Sequence, residues 1–80
     1  MNDLESKLIA LLCTGLGEGN SNTDKLTKEI LKFNPDLDYN NIKIKVVDAL
    51  ESLISKGHIQ MMTVKWEFGE EFLYICSKRL

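Results

Sequence analysis

Few side chains in this chain of 80 residues are able to do chemistry: Cys13, Cys76 and the single histidine, His58. A histidine-based metal centre would need cysteine or carboxylate partners, and the two cysteines lie far apart, without the short paired spacing of zinc sites. A cysteine nucleophile working with His58 needs an accessible, activated thiolate, yet each cysteine falls in an apolar periodic segment, where a buried thiol is expected. The start MNDLESK is acidic and polar, unlike a secretory signal, so Cys13 and Cys76 are expected as reduced thiols serving as small apolar side chains. The glycines at 15, 17 and 19 resemble a phosphate loop only in spacing. They follow a helical pattern instead of a strand, and Asn20 stands where the final glycine would be, so they read as a flexible connection. The carboxylates are scattered over polar faces as solvating charge. No catalytic constellation, metal site or cofactor site emerges, and the expected activity is binding.

Composition narrows the setting. With 44% hydrophobic and 28% charged residues, the chain has the balance of a folded domain with one small core. No apolar run reaches the roughly 18–20 residues needed to span a bilayer, and an intracellular protein is expected. A formal charge of −2 removes the attraction on which most nucleic-acid binders depend.

Four periodic segments must position whatever surface functions. Leu4, Leu8, Leu11 and Leu12 share a helical face, and Asn2 with Glu5 forms a capping-box pattern, predicting a helix over 3–14. GLGEGNSN then reads as a loop. Ser21 and Asp24 give a second cap signature for a short helix with Leu26, Ile30 and Phe33 on its apolar face, ended by the NPD of residues 34–36. Val46, Val47, Leu50, Leu53 and Ile54 form the stripe of a third, central helix over 41–56, and Gly57 suits the left-handed position past its end. HIQMMTVKWEF and EEFLYICS, separated by a short turn containing Gly69, read as a β-hairpin. The predicted class is α+β, a winged helix in which a three-helix bundle carries a C-terminal β-hairpin wing.

A winged helix reads DNA or contacts protein, and the outward side of its third helix separates the two. With Val46, Leu50 and Ile54 facing the core, Ile44, Lys45, Asp48, Glu51, Ser52 and Ser55 point outward. That face carries one base and two acids, where groove reading needs Arg, Lys, Asn or Gln. The only arginine is Arg79, and Glu67, Glu70 and Glu71 surround the wing tip, where backbone phosphates would require cations. A protein partner is therefore expected on Ile44, Lys45, Asp48 and Glu51 together with Met62, Val64 and Trp66, which share one side of their strand. In that arrangement Ile59 and Met61 face inward; the alternative has Trp66 folding back to close a satellite cluster over the hairpin.

The run VVDALESLISKGHIQ, followed after a hairpin by the terminal FLYICSKRL, resembles the C-terminal winged-helix domain of cullins. In that family a helix ending in a pattern like IESLI leads through a strand to a terminal Tyr-x-Tyr-Ile-Ala. Glu51, Ser52, Leu53 and Ile54 match the first part, Ile59 takes a Leu position, and Phe72, Tyr74, Ile75 and Cys76 match the last. The likeness spans nearly the whole chain, weakest in the second helix. Cullins carry an Ile-Val-Arg-Ile-Met-Lys motif at the end of the first helix, whose lysine accepts a ubiquitin-like modifier. Here LIALLC puts Cys13 at that position, so the acceptor is absent, and the connection that follows is longer than in ordinary cullins. Loss of the acceptor is similar to the divergent cullin-like branch in the anaphase-promoting complex. The resemblance implies that residues 1–80 are one domain at the C-terminal end of a longer cullin-like chain, working in the nucleus and cytoplasm. It implies a non-catalytic part of a multisubunit RING ubiquitin ligase, whose partners are a RING subunit, a ubiquitin-conjugating enzyme and other subunits of the complex, with no cofactor and no membrane. A DNA-binding winged helix and an interaction module of another assembly are the alternatives.

Overall fold

The structure, a computed structural model, describes residues 2–15 and 20–79. It is an α+β domain in which three helices cover the base of an antiparallel hairpin. The first helix, α1, spans Asp3–Ala10 and has the expected capping box: Asn2 Oδ1 accepts from the Glu5 amide at 2.8 Å, and Glu5 Oε1 accepts from the Asn2 amide at 3.4 Å. The helical path continues to Gly15, but Leu11–Gly15 is a π-helical turn instead of a final α-turn. Leu16, Gly17, Glu18 and Gly19, the middle of the expected loop, lie outside the described residues. Its end is not loop: Asn20–Ser21 forms a short strand, β1.

Helix α2 spans Thr23–Phe33, and its N-cap is Asn22, not Ser21. The Asn22 carboxamide oxygen accepts from the Lys25 amide at 2.8 Å, while its Nδ2 donates to Glu71 of the last strand and ties this helix start to the hairpin. Leu26 and Ile30 are buried as expected, whereas Phe33 is exposed and lies beneath the Lys7 ammonium, 5.5 Å from its ring centroid.

Helix α3 spans Tyr39–Ser55 and starts two residues earlier than the apolar stripe indicates, because Asp38 caps it by accepting from the Asn41 amide at 3.1 Å. Its end is a Schellman motif. The His58 amide donates to Leu53 and the Gly57 amide to Ile54, both at 3.0 Å, and Gly57 takes φ 81°, as its position predicted. Val46, Leu50 and Leu53 are buried, with Val47 and Ile54 at the margin.

Strands β2 (Ile59–Trp66) and β3 (Gly69–Cys76) form the hairpin, and β1 pairs with the far side of β3, giving the order β1-β3-β2. The register runs from Ile59 opposite Cys76 to Trp66 opposite Gly69. Directly paired residues share a face, so Ile59, Tyr74 and Cys76 enter the core. There they meet Leu8 and Leu12 from the N-terminal helical segment, Leu26 and Ile30 from α2, and Ile42, Val46, Ala49, Leu50 and Leu53 from α3. Met61 lies on the same face as Ile59 yet is 49% exposed, against the expectation that it faces inward: on β2 that face is buried only at Ile59, while on β3 it is buried at both Tyr74 and Cys76.

One expectation is overturned. Cys13 and Cys76 are joined in a disulfide, with Cα atoms 5.1 Å apart. The π-turn packs against the end of β3, and the β2–β3 register turns Cys76 inward toward it.

Candidate functional site

Two surface features gather the expected contact residues. On α3, Ile44 is 63% exposed, and Lys45, Asp48 and Glu51 are exposed beside it. Ile44 lines a shallow hollow with Asn40, Lys43, Val47 and Asp48. A second hollow, between the start of α1 and α3, is lined by Asn2, Asp3, Leu4, Glu5, Lys45, Asp48, Ala49 and Ser52, so Asp48 borders both. On the hairpin, Met62 and Val64 are half-buried and share their face with Leu73 and Ile75. Trp66 continues that face and is 61% exposed. Its partner in register, Gly69, offers no side chain to cover it, and Trp66 does not fold back into a satellite cluster.

Sequence reasoning missed Phe68 and Phe72. Phe68 is 95% exposed because β2 ends at Trp66 and leaves Glu67 and Phe68 as the connection, two positions that project beyond any core. Reading the strand through Phe68 hid this; an aromatic within two residues of the turn glycine was the available signal. Trp66, Phe68 and Phe72 thus place aromatic surface on the outer half of the hairpin, of the kind that anchors protein interfaces.

Two carboxylates are not the free solvating charges expected. Glu5 is buried, and its Oε2 accepts from Lys56 Nζ at 3.0 Å and from Ser52 Oγ at 3.1 Å, tying α1 to the end of α3. Ser52 is accordingly half-buried, not fully outward. The Lys56 hydrogen bond, opposed by desolvation and assisted by Asn2 and Ser52, holds the Glu5 carboxyl below its ordinary value of 4.5. A depressed carboxylate stabilises the fold above the unfolded value, and this stabilisation is lost as pH falls through the lower folded value. The expected result is a stability that declines from about pH 4.5 downward, with a shallower decline in Lys56→Met; chemical denaturation across that range checks it, and parallel curves would contradict the role given to Lys56.

Asp24 similarly joins α2 to α3. Its Oδ1 accepts from Tyr39 Oη at 2.6 Å and Lys43 Nζ at 2.9 Å, which lowers its own pKa and raises those of both partners. A tyrosine held protonated by a carboxylate is a structural pin, not an activated group.

His58 uses its backbone at the helix end, where its carbonyl accepts from the Ser77 amide. Among the described residues no group of three or more His, Cys, Asp or Glu is placed to hold a metal, and no helix is long and apolar enough to cross a membrane.

The charge on these surfaces bears on nucleic acid. Lys45 is accompanied by Asp48 and Glu51, and Lys65 stands opposite Glu70 near a hairpin tip that also carries Glu67 and Glu71. Fluorescence anisotropy against random duplex DNA at about 0.1 M salt is expected to give a Kd weaker than the ~10⁻⁴–10⁻⁶ M of nonspecific binders; a low-micromolar, steeply salt-dependent signal would contradict it. Comparisons of the chain with protein-family models, curated proteins and solved structures found no match in any of the three.

Proposed function

We propose that this domain is a non-catalytic protein-interaction module, the winged-helix domain of a cullin-like scaffold subunit in a multisubunit RING ubiquitin ligase of the anaphase-promoting type. The observation that carries the reading is the exposure of Ile44 and Trp66 on surfaces with no basic face. Large apolar side chains standing in solvent amid mixed charge favour a protein partner over a phosphate backbone. The likeness of α3 and β3 to the cullin pattern selects the partner: a RING subunit and the ubiquitin-conjugating enzyme that it positions, with catalysis residing in those proteins. The finer fold reading follows the same course, with α2, its turn and α3 as the helix-turn-helix and β2–β3 as the wing. The pairing of β1, which lies between α1 and α2 in the chain, with β3 adds a third strand to the hairpin and supports that assignment. An intracellular setting, in nucleus and cytoplasm, follows from the ligase reading, and the cysteine at position 13, where cullins carry the modifier-accepting lysine, supports the anaphase-promoting type.

Titration of the labelled domain with a RING-bound ubiquitin-conjugating enzyme tests the proposal. Amide shifts are expected in residues 44–52 and 62–68, and Trp66→Ala and Ile44→Ala are expected to weaken binding by about 5- to 30-fold, the size of an anchor's truncation, with unchanged melting. Shifts confined to α1, with those two segments silent, would refute the surface. Absence of binding, with a different assembly captured through the same residues, would move the module out of the ligase.

A further inference from the structure

We infer that Cys13 and Cys76 form a reversible redox clasp, closed by a small-molecule disulfide of the glutathione class, that fastens the end of the first helix to the base of the sheet. This inference is independent of the ligase reading. Three observations carry it. First, the bridge joins two parts of the chain far apart in sequence, the π-turn Leu11–Gly15 and the last residue of β3, beside the two-residue ladder in which Asn20 faces Ile75 and Ser21 faces Tyr74. Second, the core does not depend on the covalent bond. Leu8 is fully buried on α1, and Glu5 is tied to Ser52 and Lys56, so α1 stays anchored when the sulfurs separate. A reduced Cys76, 1% exposed, remains a small apolar side chain in the same pocket. Third, the two cysteines differ in exposure. Cys13 is only partly buried, on a turn whose hydrogen bonding departs from the α-helix, whereas Cys76 is sealed in the core.

That asymmetry sets the order of events. The Cys13 thiol loses its proton to solvent, and its thiolate attacks a sulfur of the small disulfide, forming a mixed disulfide and releasing one small thiolate. The Cys76 sulfur then attacks the Cys13 sulfur of that mixed disulfide and expels the second small thiolate, which takes the Cys76 proton and leaves as a thiol. Two electrons pass from the two cysteine sulfurs to the two small-molecule sulfurs. Opening is the reverse, with an incoming thiolate attacking the sulfur of the less buried Cys13 and Cys76 leaving. Closed, the clasp fixes the Cys13 end of the π-turn on β3 beside β1; open, it lets that end move while Leu12, α3 and the hairpin keep their places.

The test uses the whole 80-residue chain in mixtures of reduced and oxidised glutathione, with trapped thiols counted by mass and the fold followed by circular dichroism and amide spectra. The wild type is expected to pass between zero and two free thiols across those mixtures while remaining folded, with spectral changes confined to residues 10–15, 20–22 and 74–77. Cys76→Ser is expected to collect a single glutathione adduct on Cys13, at least about tenfold faster than Cys13→Ser collects one on Cys76. A bridge that opens only on denaturation, or a reduced wild type that unfolds, overturns the inference and makes the bond a permanent structural crosslink. Equal adduct rates overturn the order. The wild-type titration decides the matter by itself if either variant fails to fold.

Discussion

Leu50→Ala is expected to lower the unfolding free energy by about 2–5 kcal/mol. Leu50 is fully buried near the middle of α3, among side chains contributed by α1, α2 and the hairpin base. Truncation removes transfer free energy and leaves a cavity that three helices and a sheet, each fixed by other contacts, collapse into only partly. At roughly 0.05–0.15 kcal/mol per residue, a domain of 80 residues holds about 4–12 kcal/mol in all, so this one change takes a large share. Ile44→Ala, on the same helix but on its exposed side, is expected to shift stability by less than about 0.5 kcal/mol. Urea unfolding of the two variants reads the phase of α3 directly. Equal losses would mean that the helix does not bury the face assigned to it.

That phase is legible in the sequence because several local signals agree on it. A stripe through Val46, Leu50 and Leu53 and a glycine at 57 specify the same element, whereas the stripe does not show the start at Tyr39 that Asp38 caps. The hairpin is legible for a similar reason, from two β-rich runs around a glycine turn. Errors fall where a tertiary contact chooses between local options of similar quality. Asn22 and Ser21 are both good caps, and Asn22 is used because its amide group also reaches Glu71 across the fold. Leu11 and Leu12 continue the helical stripe, so periodicity does not show the change to a π-turn there. Phe33 fits the apolar face of α2 by spacing, yet α2 packs only its earlier turns and leaves the ring to Lys7.

The candidate surface is legible in part. Ile44 and Trp66 stand out as outward residues because each is large and apolar at a position that the core phase turns away, and their exposure agrees. Glu5 does not, since a carboxylate at a helix start reads completely as a cap, and nothing local reveals that Ser52 and Lys56 lie above it. The cysteines are misread for a more instructive reason. Both fall in apolar segments, as the periodicity indicates, but whether two such thiols meet depends on which face of the last strand turns inward and where the first helix ends. A shift of one residue in the β3 register would turn Cys76 to the opposite face.

Reducing that bridge is expected to lower the melting temperature by about 10–25 °C. The two cysteines are separated by 63 positions, so the bond closes most of the chain into one loop. On the chain-entropy account, closing a loop of that length removes about 4 kcal/mol of freedom from the unfolded state, and native bridges contribute about 2–4 kcal/mol. For a domain this small each kcal/mol corresponds to about 4–8 °C. The effect acts on the unfolded ensemble, so the reduced protein is expected to keep its native spectrum at low temperature while melting earlier. The double variant Cys13→Ser, Cys76→Ser tests whether the loss is covalent in origin. It lacks the bond under all conditions, so reductant should leave its melting temperature unchanged while lowering that of the wild type. It should also melt somewhat below the reduced wild type, because Cys76→Ser puts a hydroxyl into a position that is 1% exposed. Scanning calorimetry with and without reductant measures all of this. A wild-type melting temperature indifferent to reductant would show that the two sulfurs are not bonded in solution.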